Sequence, residues 1–124
     1  MSTLRTILLV EDDQNIATSL EKELVAEGFI VVTASSVDQG LRQAADHSFD
    51  LVITDLKLPG ASGLELIRKI HADQPTLPVI LMSAFANPEI EREAIELGGS
   101  GVIGKPFEMA YLLNQIRNCL GQWT

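Results

Sequence analysis

Thr6-Ile7-Leu8-Leu9-Val10-Glu11-Asp12-Asp13 is the stretch on which the reading of the fold turns. A threonine and four apolar residues in a row suit a strand buried on both faces and are too few for a buried helix. Three acids follow at once. Ile16, Leu20 and Leu24 then recur every four residues, with Glu21, Lys22, Glu23 and Glu27 between and beyond them. That spacing predicts an amphipathic helix, and Gly28 suits the left-handed residue that closes one. A doubly buried strand feeding a helix is the first half of a parallel α/β unit.

The unit repeats outward from there. Residues 29–33 are rich in β-branched side chains, and Ser36 with Gln39 reads as a capping box opening a second helix. Its inward face is expected from Val37, Leu41, Ala44 and Ala45. Leu51-Val52-Ile53-Thr54 gives a third strand that ends at Asp55. Ser62 and Glu65 read as another capping box, opening a helix that faces inward through Leu64, Ile67 and Ile70 or their neighbours. Residues 78–82 form a fourth strand. Asn87 followed by Pro88 is a helix start, with Asn as the cap and Pro in the first turn. Ile90, Ala94 and Leu97 lie on one face of that helix before Gly98-Gly99 ends it. Val102-Ile103, between Gly101 and Gly104, is a short fifth strand, and Met109, Leu112, Leu113, Ile116 and Leu120 mark the last helix. Five strand–helix units predict an α/β fold: a doubly wound, five-stranded parallel sheet with helices on both faces. The length suits one domain over residues 1–124. Periodicity alone leaves the strand order open.

Composition narrows the function. A formal net charge of −8 argues against non-specific nucleic-acid binding, which depends on neutralising phosphates with Lys and Arg. No apolar run approaches the roughly 20 residues that span a bilayer, and residues 1–6 lack a secretory signal pattern. The expectation is a cytoplasmic protein that touches no membrane. The single Cys119 excludes an intramolecular disulfide and reads as a buried thiol on the last helix. His47 and His71 lie among polar residues and read as surface groups. Trp123, in the tail of residues 121–124, reads either as a cap on the last helix or as part of a longer chain.

Open α/β sheets bind ligands beyond the carboxyl ends of their strands. Those ends carry Glu11-Asp12-Asp13, then Asp55, then Ser83-Ala84, then Lys105-Pro106. Each has an ordinary reading: Asp13 as a helix cap, Ser83 as a strand-end hydroxyl, Lys105 as a surface lysine. Together, however, acids, a hydroxyl and a lysine all fall on one sheet edge. Glu11, Asp12 and Asp55 would repel one another there unless a cation held them. Hard divalent ions take oxygen ligands, and magnesium characteristically combines a few carboxylates with waters and a phosphate oxygen. Set against Lys105, the three carboxylates leave a deficit of two charges, which one Mg²⁺ cancels. Phosphoryl transfer asks mainly for positioning and charge stabilisation, which such an edge supplies.

These residues resemble those of a known family, the response-regulator receiver domains of two-component signalling. The likeness runs through Leu9-Val10-Glu11-Asp12-Asp13, Ile53-Thr54-Asp55-Leu56-Lys57-Leu58-Pro59, Gly63, Leu81-Met82-Ser83-Ala84 and Lys105-Pro106-Phe107, in family order and spacing. It implies a flavodoxin-like strand order of 2-1-3-4-5. It implies that Asp55 takes a phosphoryl group from a phosphohistidine on a histidine kinase or histidine phosphotransfer protein. Glu11, Asp12, Asp55 and the backbone carbonyl of Lys57 would hold Mg²⁺, with Mn²⁺ as a substitute. Ser83 would hydrogen-bond the phosphoryl oxygen, Lys105 would pair with it, small Ala84 would leave access, and Lys105-Pro106 would be cis. The product is a switch that controls a target or an attached output domain, as a monomer or a phosphorylation-dependent dimer, rather than a turnover enzyme.

Two positions depart from the family pattern. Receivers commonly carry an aromatic residue on the fifth strand as a rotameric switch, where this chain has Val102. Lys57, two residues past the acceptor, adds a cation near the site. With no aromatic to swing, movement of residues 83–87, with Phe85 as the moving side chain, is expected to reach the face made by the fourth helix, fifth strand and last helix. Three other readings compete. A haloacid-dehalogenase-like phosphatase would place its nucleophile in Asp-x-Asp after the first strand, where this chain has Leu9-Val10-Glu11-Asp12. A flavin module would need a Ser/Thr/Gly-rich phosphate loop where the acids stand. A degenerate receiver serving only for docking would lack acceptor-site residues; only Val102 leans that way.

Overall fold

The computed structural model describes residues 4–121; Trp123 lies outside them. Strand β1 (Thr6–Val10) is followed by helix α1 (Gln14–Ala26), β2 (Ile30–Ala34), α2 (Val37–Asp46) and β3 (Leu51–Asp55). Two short strands, β4 (Lys57–Leu58) and β5 (Ala61–Ser62), precede α3 (Gly63–Asp73). The chain then forms β6 (Val79–Ser83), α4 (Pro88–Glu96), β7 (Gly101–Gly104) and α5 (Met109–Leu120). The main sheet is parallel in the order β2-β1-β3-β6-β7. Counting only its own five strands, this is the order 2-1-3-4-5.

Alternation along each strand divides the core into two layers. Ile7 and Leu9 of β1, Ile53 of β3, Ile80 and Met82 of β6 and Ile103 of β7 pack with α1 and α5. Leu8, Val10, Val52 and Leu81 pack on the other face with α2, α3 and α4, and Val102 lies against that second layer. Residues 7–10, 51–54 and 79–83 of the central strands are buried, which is why those strands read as nearly unbroken apolar runs.

Helix ends depart from expectation in instructive ways. Ser36 Oγ accepts from Gln39 N at 3.1 Å, as a cap should. The return bond goes elsewhere: Gln39 Oε1 accepts from the backbone and hydroxyl of Ser35, not from Ser36. At α3, Ser62 Oγ accepts from Leu64 N, and Glu65 turns forward to Arg68 and Lys69, so no capping box forms. A guanidinium one turn away outbids a backbone amide for that carboxylate. Two expected core residues also lie outside. Ala45 is exposed, and the buried positions of α2 are Val37, Gly40 and Ala44; a β-carbon at Gly40 would meet Val10 and Leu66. Ile16 is 39% exposed at the first turn of α1. Asn87 caps α4 as expected, accepting from Ile90 N at 2.9 Å. His47 and His71 are exposed, although the His71 ring lies against Gly98, whose φ of +105° closes α4.

Candidate functional site

The acidic run after β1 is divided by the backbone into three roles. Glu11 N donates to Ala34 O at 2.9 Å, extending the ladder by one residue and turning the Glu11 side chain under the sheet edge, where it is 1% exposed. Its Oε2 accepts from Asp13 N at 3.3 Å. Asp13 caps α1, its Oδ1 accepting from Asn15 N and Ile16 N at 2.9 and 3.1 Å. Asp12, between them, is exposed at the rim.

Asp55 is the last residue of β3. Its Oδ1 accepts from Leu56 N at 2.9 Å, and its Oδ2 lies 3.3 Å from Lys105 Nζ. Leu56 N also donates to Met82 O, and Gly63 N donates to Leu56 O at 2.7 Å, fixing the chain just past the acid. Gly63 begins α3 directly beneath this turn, so close that a β-carbon there would strike the backbone oxygen of Asp55. No other residue type lets the helix approach the strand end this closely.

Lys105 reaches in from the end of β7. Its N donates to Ser83 O at 2.8 Å, its peptide bond to Pro106 is cis, and its ammonium donates to Glu11 Oε1 at 3.2 Å. One cation thus bridges two carboxylates that lie close to one another. Burial raises the Glu11 pKa above the usual carboxylate value; the Asp13 amide opposes this, the Asp55 charge adds to it, and Lys105 again opposes. Burial by itself would lower the Lys105 pKa, but the charges of Asp55 and Glu11 outweigh it and the net displacement is upward.

One carboxylate oxygen from each of Glu11, Asp12 and Asp55 can be drawn into a cluster whose members all lie within 4.8 Å of one another. Ligands on a single octahedral ion sit about 3–4 Å apart, so small rotations of the exposed Asp12 would bring the three into range. An all-oxygen, acid-rich donor set of this kind fits a hard divalent cation.

A small pocket opens beside the cluster, lined by Asp55, Lys57, Ser83, Ala84, Phe85 and Lys105. Ser83 is buried, and its Oγ accepts from Phe85 N at 2.9 Å, leaving the hydroxyl proton available to a ligand. Ala84 is exposed at the mouth. Lys57 stands on β4, paired across the two-stranded ladder with Ser62, and its ammonium sits 4.2 Å from the Phe85 ring centroid. Val102 is partly buried in β7 and faces the layer under α4 rather than the pocket. The β4–β5 ladder went unread in the sequence. Pro59-Gly60, with Gly60 at φ +69°, is the turn signal that could have revealed it.

Comparison with known proteins follows the same line. Residues 7–117 match the pattern of the response regulator receiver domain. The chain is 41% identical over 114 residues to the response regulator ArlR of Staphylococcus aureus, an alignment covering 92% of this chain and 52% of that protein. It therefore spans about half the length of the curated relatives it matches. Among solved structures, a CheY-like receiver domain protein of Methanospirillum hungatei superposes with a TM-score of 0.92 at 32% identity, covering 97% of this chain and 96% of the other. The response regulator TrrA of Thermotoga maritima, solved in complex with Mg²⁺ and BeF, superposes with a TM-score of 0.87 at 28% identity, covering 94% and 100%.

Proposed function

The chain belongs to the response regulator receiver domain family of two-component systems, and on that premise we propose that Asp55 is its phosphoryl acceptor. The observation that carries this reading is the bridging of Glu11 and Asp55 by one lysine at the edge of a pocket that also holds Ser83. Asp55 is the acid at the end of the strand that sits centrally in the sheet, and each of its carboxylate oxygens already has a defined partner.

The donor is a phosphohistidine on a histidine kinase or histidine phosphotransfer protein. An Asp55 oxygen attacks phosphorus, the phosphorus–nitrogen bond breaks, and its electron pair stays on the donor imidazole nitrogen, which takes a proton from solvent. Lys105 offsets charge on the phosphoryl oxygens, and the Ser83 hydroxyl donates to one of them. Glu11, Asp12, Asp55 and the Lys57 carbonyl would hold Mg²⁺ (or Mn²⁺), which when bound would neutralise carboxylate and phosphoryl charge. The aspartyl phosphate then alters the face made by α4, β7 and α5, through which a partner or attached output domain is controlled.

The domain acts as a switch within residues 1–124, in the cytoplasm, as a monomer or a phosphorylation-dependent dimer, with no nucleic-acid contact of its own. None of its helices among the described residues is long and apolar enough to cross a membrane. The test is direct. Incubation with Mg²⁺ and acetyl phosphate should add one phosphoryl mass to the wild type and none to Asp55→Asn. Undiminished labelling of that variant would move the acceptor elsewhere.

A further inference from the structure

The pocket holds a second cation that the transfer chemistry above leaves unused. Lys105 is committed to Glu11 and Asp55, but the ion pairs among the described residues do not include Lys57. Its ammonium rests instead over the ring of Phe85, a residue 58% exposed at the pocket mouth. The two come from different elements: Lys57 from β4, Phe85 from the loop after β6. The β4–β5 ladder fixes the backbone of Lys57, and the Phe85 amide is tied to Ser83 Oγ, so both exposed side chains spring from anchored backbone.

We propose that Lys57 has two alternative partners, the Phe85 ring when Asp55 is free and the phosphoryl group when Asp55 is modified, so that phosphorylation releases Phe85. This rests on Asp55 being the acceptor. An exposed cation–π contact is a weak hold, about a two- to fivefold bias in population. A dianionic group appearing on Asp55, which lines the same pocket, offers the ammonium full charges and hydrogen-bond acceptors in place of a ring quadrupole. Phe85 then loses its partner just as the Ser83 hydroxyl, bonded to its amide, is drawn to the same phosphoryl group. Both restraints on residue 85 change together. The ring is thereby a readout located beside the acceptor, in a chain whose fifth main-sheet strand has Val102 in place of an aromatic switch.

The test uses beryllium trifluoride with Mg²⁺ as the phosphoryl mimic. In the free protein the Lys57 ε-methylene protons should be displaced upfield by the ring, and this displacement should vanish at saturating mimic. Phe85→Leu should abolish it in both states. Affinity for the mimic gives an independent reading. Phe85→Leu removes the competing partner and should tighten binding about two- to fivefold, whereas Lys57→Met should weaken it by a similar factor. In the Lys57→Met background, Phe85→Leu should have no effect. A residual gain there would mean that the ring acts alone by limiting access, and would overturn the proposal. So would a persistent upfield displacement at saturation while the amides of residues 55 and 83 respond. If those amides fail to respond at all, the acceptor assignment itself is wrong and the proposal falls with it.

Discussion

The ammonium of Lys105 lies 3.3 Å from Asp55 Oδ2 and 3.2 Å from Glu11 Oε1, so a lysine stands where repulsion between two acids would otherwise go unanswered. Removing it should therefore have opposite effects on the fold and on the metal. Lys105→Met should lose about 1–3 kcal/mol of metal-free stability, because a buried carboxylate loses a charged partner. It should also bind Mg²⁺ more tightly than wild type, since no cation competes for the acids. Urea unfolding with and without Mg²⁺ checks both; weaker Mg²⁺ binding in the variant would refute the arrangement.

Asp12 gives a second handle on the metal. It is exposed and makes none of the cap or ladder contacts that hold Asp13 and Glu11. Asp12→Asn should fold with near wild-type stability yet lose most of the rise in Tm that millimolar Mg²⁺ gives the wild type. A ligand at a hundredfold excess over its Kd stabilises by about 2.7 kcal/mol, so the difference is measurable by calorimetry. An equal rise in both proteins would place the ion elsewhere.

Signal transmission should depend on Ser83 and little on Val102. Ser83 Oγ joins the pocket to the Phe85 amide, whereas Val102 is a stiff β-branched residue packed beneath α4. With the phosphoryl mimic, amide shifts should be largest at residues 83–90 and 102–106. Ser83→Ala should shrink the distal changes, and Val102→Ala should keep most of them. The reverse pattern would reject this route.

Cys119 provides a pH test remote from the site. Burial raises its thiol pKa above the ordinary 9.0. Between 9.0 and the folded value the native state holds a proton that the unfolded chain has released, so stability falls as pH rises through that window and is unaffected below it. Cys119→Ala lacks this contribution. The stability gap between wild type and variant, followed by urea unfolding from pH 8 to about 10.5, should narrow as pH rises. Cys119 is half-buried rather than fully buried as its place on an apolar helix face suggested, and a gap that stays constant or widens would contradict even that partial burial.

What could be read from sequence and what could not follow one physical division. Strand runs such as Leu51-Val52-Ile53-Thr54 and the helix start at Asn87-Pro88 were legible because each is decided by neighbours in the chain. The two capping boxes were half wrong for the same reason. Whether Glu65 bonds an amide or Arg68, and whether Gln39 turns to Ser35 or Ser36, depends on competition among partners that a motif does not weigh. The edge cluster of Glu11, Asp12, Asp55, Ser83 and Lys105 could be assembled because parallel topology gathers strand ends. Its electrostatics could not: the burial of Glu11 and the bridging position of Lys105 depend on backbone turns after the strands. The contact of Lys57 with Phe85 joins β4 to the loop after β6, far apart in the chain, and no local pattern announces it.

Gly63 carries a consequence for how such a site varies. Its missing side chain lets α3 rest against the carbonyl of Asp55, and that carbonyl belongs to the turn that aims the carboxylate. Even alanine at this position would lever the helix away from the strand and carry the acid with it, although residue 63 bears no chemistry of its own. A substitution at one pocket residue alters that residue's own contacts, whereas a side chain at position 63 would displace the strand end that several of them share. The tolerance of the whole site is set by the space one methyl group would fill.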